Sequence, residues 1–173
     1  NDQQRTEIET RISQYLEQAV NQKDTLRLRD FTRFFGTHAL ADTARIELAS
    51  ALVNSESSYI QETVETELLL VTLQLHSTDQ KIQQRCHVEL AKLYEKVGRY
   101  QDAYDIYTKL KQRWPEKLVA GEFTGKQYVD QRLGAEHFEQ IANIGTQWPL
   151  GFTHVEKTTD TDGRFPSYQR IYN

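Results

Sequence analysis

The chain has 173 residues, of which 38% are hydrophobic and 27% charged, a composition typical of a globular domain. Its formal net charge is −4 and its isoelectric point about 5.8, so no global basic field draws it towards nucleic acid or anionic lipid. The longest apolar run, Leu68 to Val71, is far shorter than the roughly 20 residues of a membrane-spanning helix. Nucleic acid and membrane are therefore not predicted as partners.

The chain begins with Asn and contains no Met, so we expect a segment of a larger protein, and we assign it to no compartment. Its one cysteine, Cys86, excludes an internal disulfide framework and a multi-cysteine zinc site. Because Cys86 lies within a predicted helix, its position favours a semi-buried small side chain over a reactive thiol.

The first two thirds of the chain are predicted to be helical. No proline occurs before Pro115, and apolar residues recur there at spacings of three and four. Asp24 or Thr25 can cap the second segment, which ends at Gly36. The four segments predicted before residue 76 are Thr6–Val20, Asp24–Gly36, Ala39–Ser55 and Tyr59–Leu75.

The fourth segment carries an apolar stripe at helical spacing, the pattern of an amphipathic helix. The dense run "LLLVTLQL" within it is also compatible with a strand, but its length and its helix-forming flanks favour a helix. The stripe consists of Ile60, Val64, Leu68, Val71 and Leu75.

The next stretch, "HVELAKLYEKVGRYQDAYDIYTKLKQRWPEK", predicts two helices joined at Gly98 and stopped at Pro115. Ala91 and Ala103 are small residues that let the two helices cross closely, and larger side chains there would force the helices apart. With the looser pairs that precede it, this stretch predicts three successive helical hairpins.

The spacing within Gln84–Lys117 resembles the tetratricopeptide repeat, whose period is about 34 residues. Ala91 and Ala103 match the family's small positions, Tyr107 a late aromatic position and Pro115 the terminating proline. Two positions, His87 and Leu110, depart from the family's pattern. The hairpins upstream match more loosely.

The resemblance implies an all-α fold, a tetratricopeptide-like α/α superhelix of about three helical hairpins with a short irregular or β-hairpin C-terminal tail. We expect a helical repeat domain at residues 1–143 and, at residues 144–173, an extended tail or a lead into a following domain. The order of "FTRFFGTHALADTARIELA", "LAKLYEKVGRYQDAYDIYTKL", "TGKQYVD" and "WPLG" also resembles the helical segment adjoining pyrroloquinoline-quinone-type β-propellers in large bacterial proteins of planctomycete type. That resemblance implies a propeller after Trp148.

The last third of the chain has a different residue pattern. Short helices are predicted at Gly125–Leu133, with Thr124 as the cap, and at Ala135–Ile141. From Ile144 onward aromatic and β-branched residues follow without helical period, and the turn signal "DTDG" predicts an extended tail or a lone hairpin.

No motif in the chain predicts an enzyme, a metal site or a cofactor. The five histidines show no ligand spacing, "DTDG" lacks the later ligands of a calcium loop, and "TGK" lacks the rest of a phosphate loop. We interpret "DTDG" as a turn and "TGK" as a helix start.

Two neighbouring segments of the chain carry opposite net charges. Residues 55–75 contain four Glu and no Lys or Arg, whereas residues 81–117 contain nine basic and five acidic residues. Ordinary solvated helix faces explain this pattern, and a basic face that receives an acidic peptide is the functional alternative. In the repeat family the groove is lined by the first helix of each unit, which implies that the partner-binding residues are Arg85, Val88, Lys92, Glu95 and Lys96.

The sequence therefore predicts a non-catalytic protein–protein interaction or scaffolding module. Its expected partner is a protein or peptide, an acidic one where the basic face is used. The alternative is an intramolecular brace for an adjacent β-propeller of the same chain, with no partner in trans.

Overall fold

The computed structural model describes residues 2–56, 59–135, 138 and 141. In this part of the chain the fold is all-α with one short antiparallel strand pair, as the predicted class requires, and residues 68–75 are helical. The helices are α1 (Asp2–Asn21), α2 (Thr25–Phe34), α3 (Ala41–Val53), α4 (Ile60–His76), α5 (Gln80–Lys96), α6 (Tyr100–Arg113) and α7 (Gly125–Leu133). The strands are β1 (Leu118–Ala120) and β2 (Phe123–Thr124).

Side-chain caps begin three of the predicted helices, α2, α5 and α7. The Asp24 carboxylate accepts hydrogen bonds from the backbone N–H groups of Leu26 and Arg27, each at 3.1 Å, so Asp24 is the cap of α2. Thr124 and Gln127 form a reciprocal capping box at the start of α7. The predicted cap at Thr124 and the helix over Gly125–Leu133 are confirmed.

The turn between α5 and α6 is fixed by Gly98, which has a φ of +75°. The N–H of Gly98 donates to the carbonyl of Glu95, and the N–H of Arg99 donates to the carbonyl of Tyr94, which is the Schellman arrangement. Helix α6 ends two residues before Pro115, as predicted.

The helices form two layers. Helix α3 packs against α1, α2, α4 and α5, and α5 packs against α3, α4 and α6. These contacts place α1, α3 and α5 in one layer and α2, α4 and α6 in the other, with each predicted hairpin pair in contact. Helix α7 and the strand pair lie against the end formed by α5 and α6.

The core runs through α3, which is buried on two faces. One face contributes to a cluster with α1 and α2, and the other to a larger cluster with α4, α5, α6 and α7. Ala91 and Ala103 have no exposed surface and belong to the larger cluster, where small residues are compatible with the predicted close crossing of α5 and α6. The α3 residues are Ala44, Leu48 and Leu52 in the first cluster and Ile46, Ala49 and Val53 in the second.

The strand pair was not predicted at its observed place. It turns at Gly121, whose φ is +59°, and it precedes α7. The hairpin predicted for the tail after Ile144 lies outside the described residues, as does most of the short helix predicted at Ala135–Ile141. Gly125 follows the strand pair. A Cβ atom at this position would overlap the carbonyl oxygen of Trp114, so the close approach of the two backbone segments requires glycine.

Candidate functional site

Two of the predicted binding residues, Arg85 and Val88, make their contacts within the fold. Arg85 donates to the Glu47 carboxylate of α3 at 2.6 Å, and this hydrogen bond raises the pKa of Arg85. Val88 is 3% exposed and belongs to the hydrophobic core. The prediction that Val88 lines a groove is therefore wrong, because its side chain fills the space among the helices of the larger cluster.

The two predicted lysines also have partners in the chain. The Nζ of Lys92 donates to the Glu89 carboxylate, one turn earlier in α5, at 3.0 Å. The Nζ of Lys96 donates to three backbone carbonyls at and just beyond the end of α3, at distances of 2.7 to 3.4 Å. The ammonium of Lys96 thus lies at the negative C-terminal end of α3, where a positive charge stabilises the helix.

Three of the five predicted residues meet at one groove. It has a volume of about 570 Å³ and lies where the C-terminal ends of α3, α5 and α7 come together. Lys92, Glu95, Lys96 and Arg132 give its lining a formal charge of +2, while Arg85 and Val88 do not line it. Arg132 approaches Glu95 at 3.6 Å, so part of this charge is also used within the fold.

A smaller cavity of about 390 Å³ lies on the other side of Glu95, towards α7. Its lining includes Phe123, Tyr128 and Phe138. Tyr107 lies in contact with the Tyr128 and Phe138 rings, at centroid distances of 6.1 and 5.9 Å. Burial, with smaller contributions from Tyr128 and Glu95, raises the pKa of Tyr107 well above its ordinary value.

The acidic segment is tied to its neighbours by two arginines. Arg29 of α2 binds the Glu65 carboxylate of α4 through Nε at 2.9 Å and Nη2 at 2.8 Å. Arg99 donates to Glu67 at 3.0 Å, and the Tyr94 hydroxyl donates to the same carboxylate at 2.8 Å. Three carboxylates of the acidic segment, those of Glu62, Glu65 and Glu67, are thus paired within the fold, and Arg99 belongs to the basic segment.

The apolar stripe predicted on the fourth segment points away from the core. The buried residues of α4 are Thr66, Leu70 and Leu73, which lie on a different face. Val71 is partly buried at the edge of the stripe. The exposed fractions of the remaining four are 81% for Ile60, 58% for Val64, 66% for Leu68 and 72% for Leu75.

The sequence carried a signal for this surface. Helix α4 has apolar residues both in the stripe and at Leu69, Leu70 and Leu73, so it is apolar on two faces. A helix of this kind is normally buried on all sides. In the described chain the face with Leu70 and Leu73 is covered, and the stripe is exposed.

Cys86 is buried, and burial raises the pKa of its thiol to about 12, which confirms the small buried side chain and argues against a reactive thiol. In residues 2–56 and 59–135, with 138 and 141, no group of three or more His, Cys, Asp or Glu could hold a metal ion. No helix within the same residues is long and apolar enough to cross a membrane.

Comparisons of the chain with protein-family models, with curated proteins and with solved structures found no match. The resemblances to the tetratricopeptide repeat and to the propeller-associated segment therefore stay predictions that rest on the quoted residues.

Proposed function

We propose that the chain is a non-catalytic protein–protein interaction module, of the tetratricopeptide-like type, within a larger protein. The observation that carries this proposal is the outer face of α4, where Ile60, Val64, Leu68 and Leu75 are exposed along one helix. Four of the twelve large apolar side chains exposed in the described chain lie on this face, which makes it a stripe rather than scattered residues.

The free energy available from covering this face is substantial. Fully burying one large aliphatic side chain contributes about 1.5–3 kcal/mol, and the stripe offers four that are more than half exposed. The face also lacks a charge at its centre, since Glu65 and Glu67 are held at its flanks by Arg29 and Arg99. An apolar centre with polar flanks is the usual arrangement of a protein interface.

The alternative proposal is an intramolecular brace, in which another domain of the same polypeptide covers α4. The same exposed stripe supports it, because the physical chemistry of the covered face is the same in cis and in trans. The propeller predicted after Trp148 would be that domain.

The groove beside Glu95 is the second proposed contact surface. Its formal charge of +2 supports the expected preference for an acidic peptide. Lys92 and Lys96 already have partners within the chain, so a bound carboxylate would have to compete with Glu89 and with the carbonyls of α3. For this reason we place the main contact on α4.

Site-specific photo-crosslinking in cells that produce the full-length protein tests the proposal. A benzophenone amino acid is placed at Leu68 on α4, at Asn54 on the rim of the groove, and at Gln112 as an exposed control on α6. We expect adducts from position 68 and far fewer from position 112.

The identity of the adduct separates the two proposals. An adduct between two polypeptides supports the interaction module, whereas a crosslink to another domain of the same polypeptide supports the brace. Adducts from Asn54 alone would overturn the assignment of the contact to α4. If position 68 gives no more adduct than position 112, both proposals are overturned.

A further inference from the structure

The stripe on α4 has the spacing of a coiled-coil seam. From Val64 to Leu68, Val71 and Leu75 the steps are four, three and four residues, which is the alternation of the a and d positions of a heptad. An α-helix with the same period is the shape that fits such a seam.

We propose that the occupant of this seam is a second copy of the chain, bound through antiparallel pairing of the two α4 helices. This inference rests on the proposed interaction through α4 and names its partner. Antiparallel pairing centred between Leu68 and Val71 places Val64 opposite Leu75 of the second copy, and Leu68 opposite Val71 of the second copy.

The volumes of the side chains favour this pairing. Each of the four resulting layers combines one valine with one leucine, so the layers are alike in side-chain volume. The stripe is therefore complementary to itself when it is reversed.

The flanking charges favour the same arrangement. In the antiparallel pair Glu65 lies opposite Thr72 of the second copy, and Glu67 opposite Gln74 of the second copy, so no carboxylate faces another. A parallel pair would instead bring Glu65 against the apolar Ile60 of the second copy. Arg29 and Arg99 hold the two carboxylates in each copy, which removes most of the remaining repulsion.

The dimer is expected to be weak, because the seam spans only about 16 Å between Val64 and Leu75.

Sedimentation equilibrium of the chain from about 1 µM to about 500 µM tests the inference. We expect the mass to rise with concentration from 20.2 kDa towards twice that value. The variant Leu68→Glu, in which an exposed residue is replaced by a good helix former, should keep its helical circular dichroism and stay monomeric. The control Gln112→Glu, which adds the same charge on the exposed face of α6, should dimerise as the wild type does.

Cysteine pairs test the direction of the helices. With a short bismaleimide, the double variant Val64→Cys, Leu75→Cys should form crosslinked dimers, while Val64→Cys alone should not, since its two copies lie about 16 Å apart along the helix axis. Cys86 is buried and does not interfere. Efficient crosslinking of Val64→Cys alone would overturn the antiparallel arrangement.

The failure of this inference differs from the failure of the proposed function. A chain that remains monomeric at the highest concentration overturns the second copy as the occupant. If position 68 then still crosslinks to another protein, the interaction module stands with a different partner.

Discussion

Helices α3 and α4 share a sequence pattern and differ in how the fold uses it. Both carry apolar residues on more than one face. Helix α3 buries both faces, one against α1 and α2 and the other against α4 to α7, whereas α4 buries Leu70 and Leu73 and exposes its stripe. The difference teaches that the same sequence pattern is fully buried in α3, whereas in the described residues α4 keeps an exposed apolar face.

The strongest test of this comparison replaces a residue on each face of both helices with alanine. Ile46→Ala and Leu48→Ala, on the two buried faces of α3, and Leu70→Ala on the inner face of α4 should each lower the free energy of unfolding by about 2–5 kcal/mol. Leu68→Ala on the outer face of α4 should cost less than about 1 kcal/mol in dilute solution. Urea unfolding measures all four.

The difference between the two faces of α4 is contradicted if Leu68→Ala lowers the free energy of unfolding as much as Leu70→Ala does at low protein concentration. Such a result would mean that the stripe is already covered within the chain.

A smaller loss of stability is expected when a hydrogen bond between α4 and α5 is removed. Tyr94→Phe removes the hydroxyl that donates to Glu67 at 2.8 Å but keeps the ring under the Arg99 guanidinium, 4.3 Å from the ring centroid. The loss should be about 1 kcal/mol, and Glu67 keeps its bond to Arg99. An unchanged urea midpoint would show that this bond does not fix α4 in place.

The ion pair between α2 and α4 should contribute still less. Arg29→Ala removes a two-point contact with Glu65 whose side chains are about a third exposed, so solvent screens it. We expect a cost of at most about 1 kcal/mol that shrinks when salt is added. A salt-independent cost of several kcal/mol would instead point to lost packing of the arginine stem.

The smallest effect on stability at neutral pH is expected at His87. Its ring lies between Gln74 of α4 and Trp114 at the end of α6. Its Nδ1 is 2.8 Å from the carbonyl of Gln83, so Nδ1–H donates there and Nε2 accepts from the Gln74 amide. Protonation of Nε2 would place two donors face to face. Burial lowers the pKa of His87 below its ordinary 6.5, against the carbonyl bond that raises it and with help from the positive charges of Arg113 and Lys109.

The sign of the pH dependence follows. Between the lowered pKa of the folded chain and 6.5, the unfolded chain binds more protons, so stability is full above pH 6.5 and falls as the pH drops through this window. His87→Gln removes the titrating group and should lose less stability than the wild type between about pH 7.5 and about pH 5.5. Equal losses in urea titrations of the two proteins would contradict a role for His87.

Much of the helical framework could be predicted because its signals are local. Asp24, Thr124, Gly98 and Pro115 act within a few residues of themselves, so they define helix ends whatever the rest of the chain does. The strand pair between α6 and α7 was missed because its five residues are too few for a period that would distinguish them from a loop.

The candidate site was predictable only in part. Lys92, Glu95 and Lys96 share a helix face by spacing alone, and they do line one groove. Their availability could not be predicted, because it depends on Glu89, on Arg132 and on the carbonyls of α3, which only the packed helices bring near. Val88 shares this face by spacing, one turn before Lys92, and only the packing of the neighbouring helices buries it.

The sequence by itself determined the all-α class, the positions of the helices and the presence of an apolar stripe on α4. Only the tertiary structure decided that this stripe faces outward, because α4 is apolar on two faces and periodicity cannot rank them. The choice depends on contacts far apart in the chain: Leu70 and Leu73 pack against α3 and α5, while Arg29 and Arg99 hold the carboxylates on either flank. Burial of one face is what leaves the other exposed.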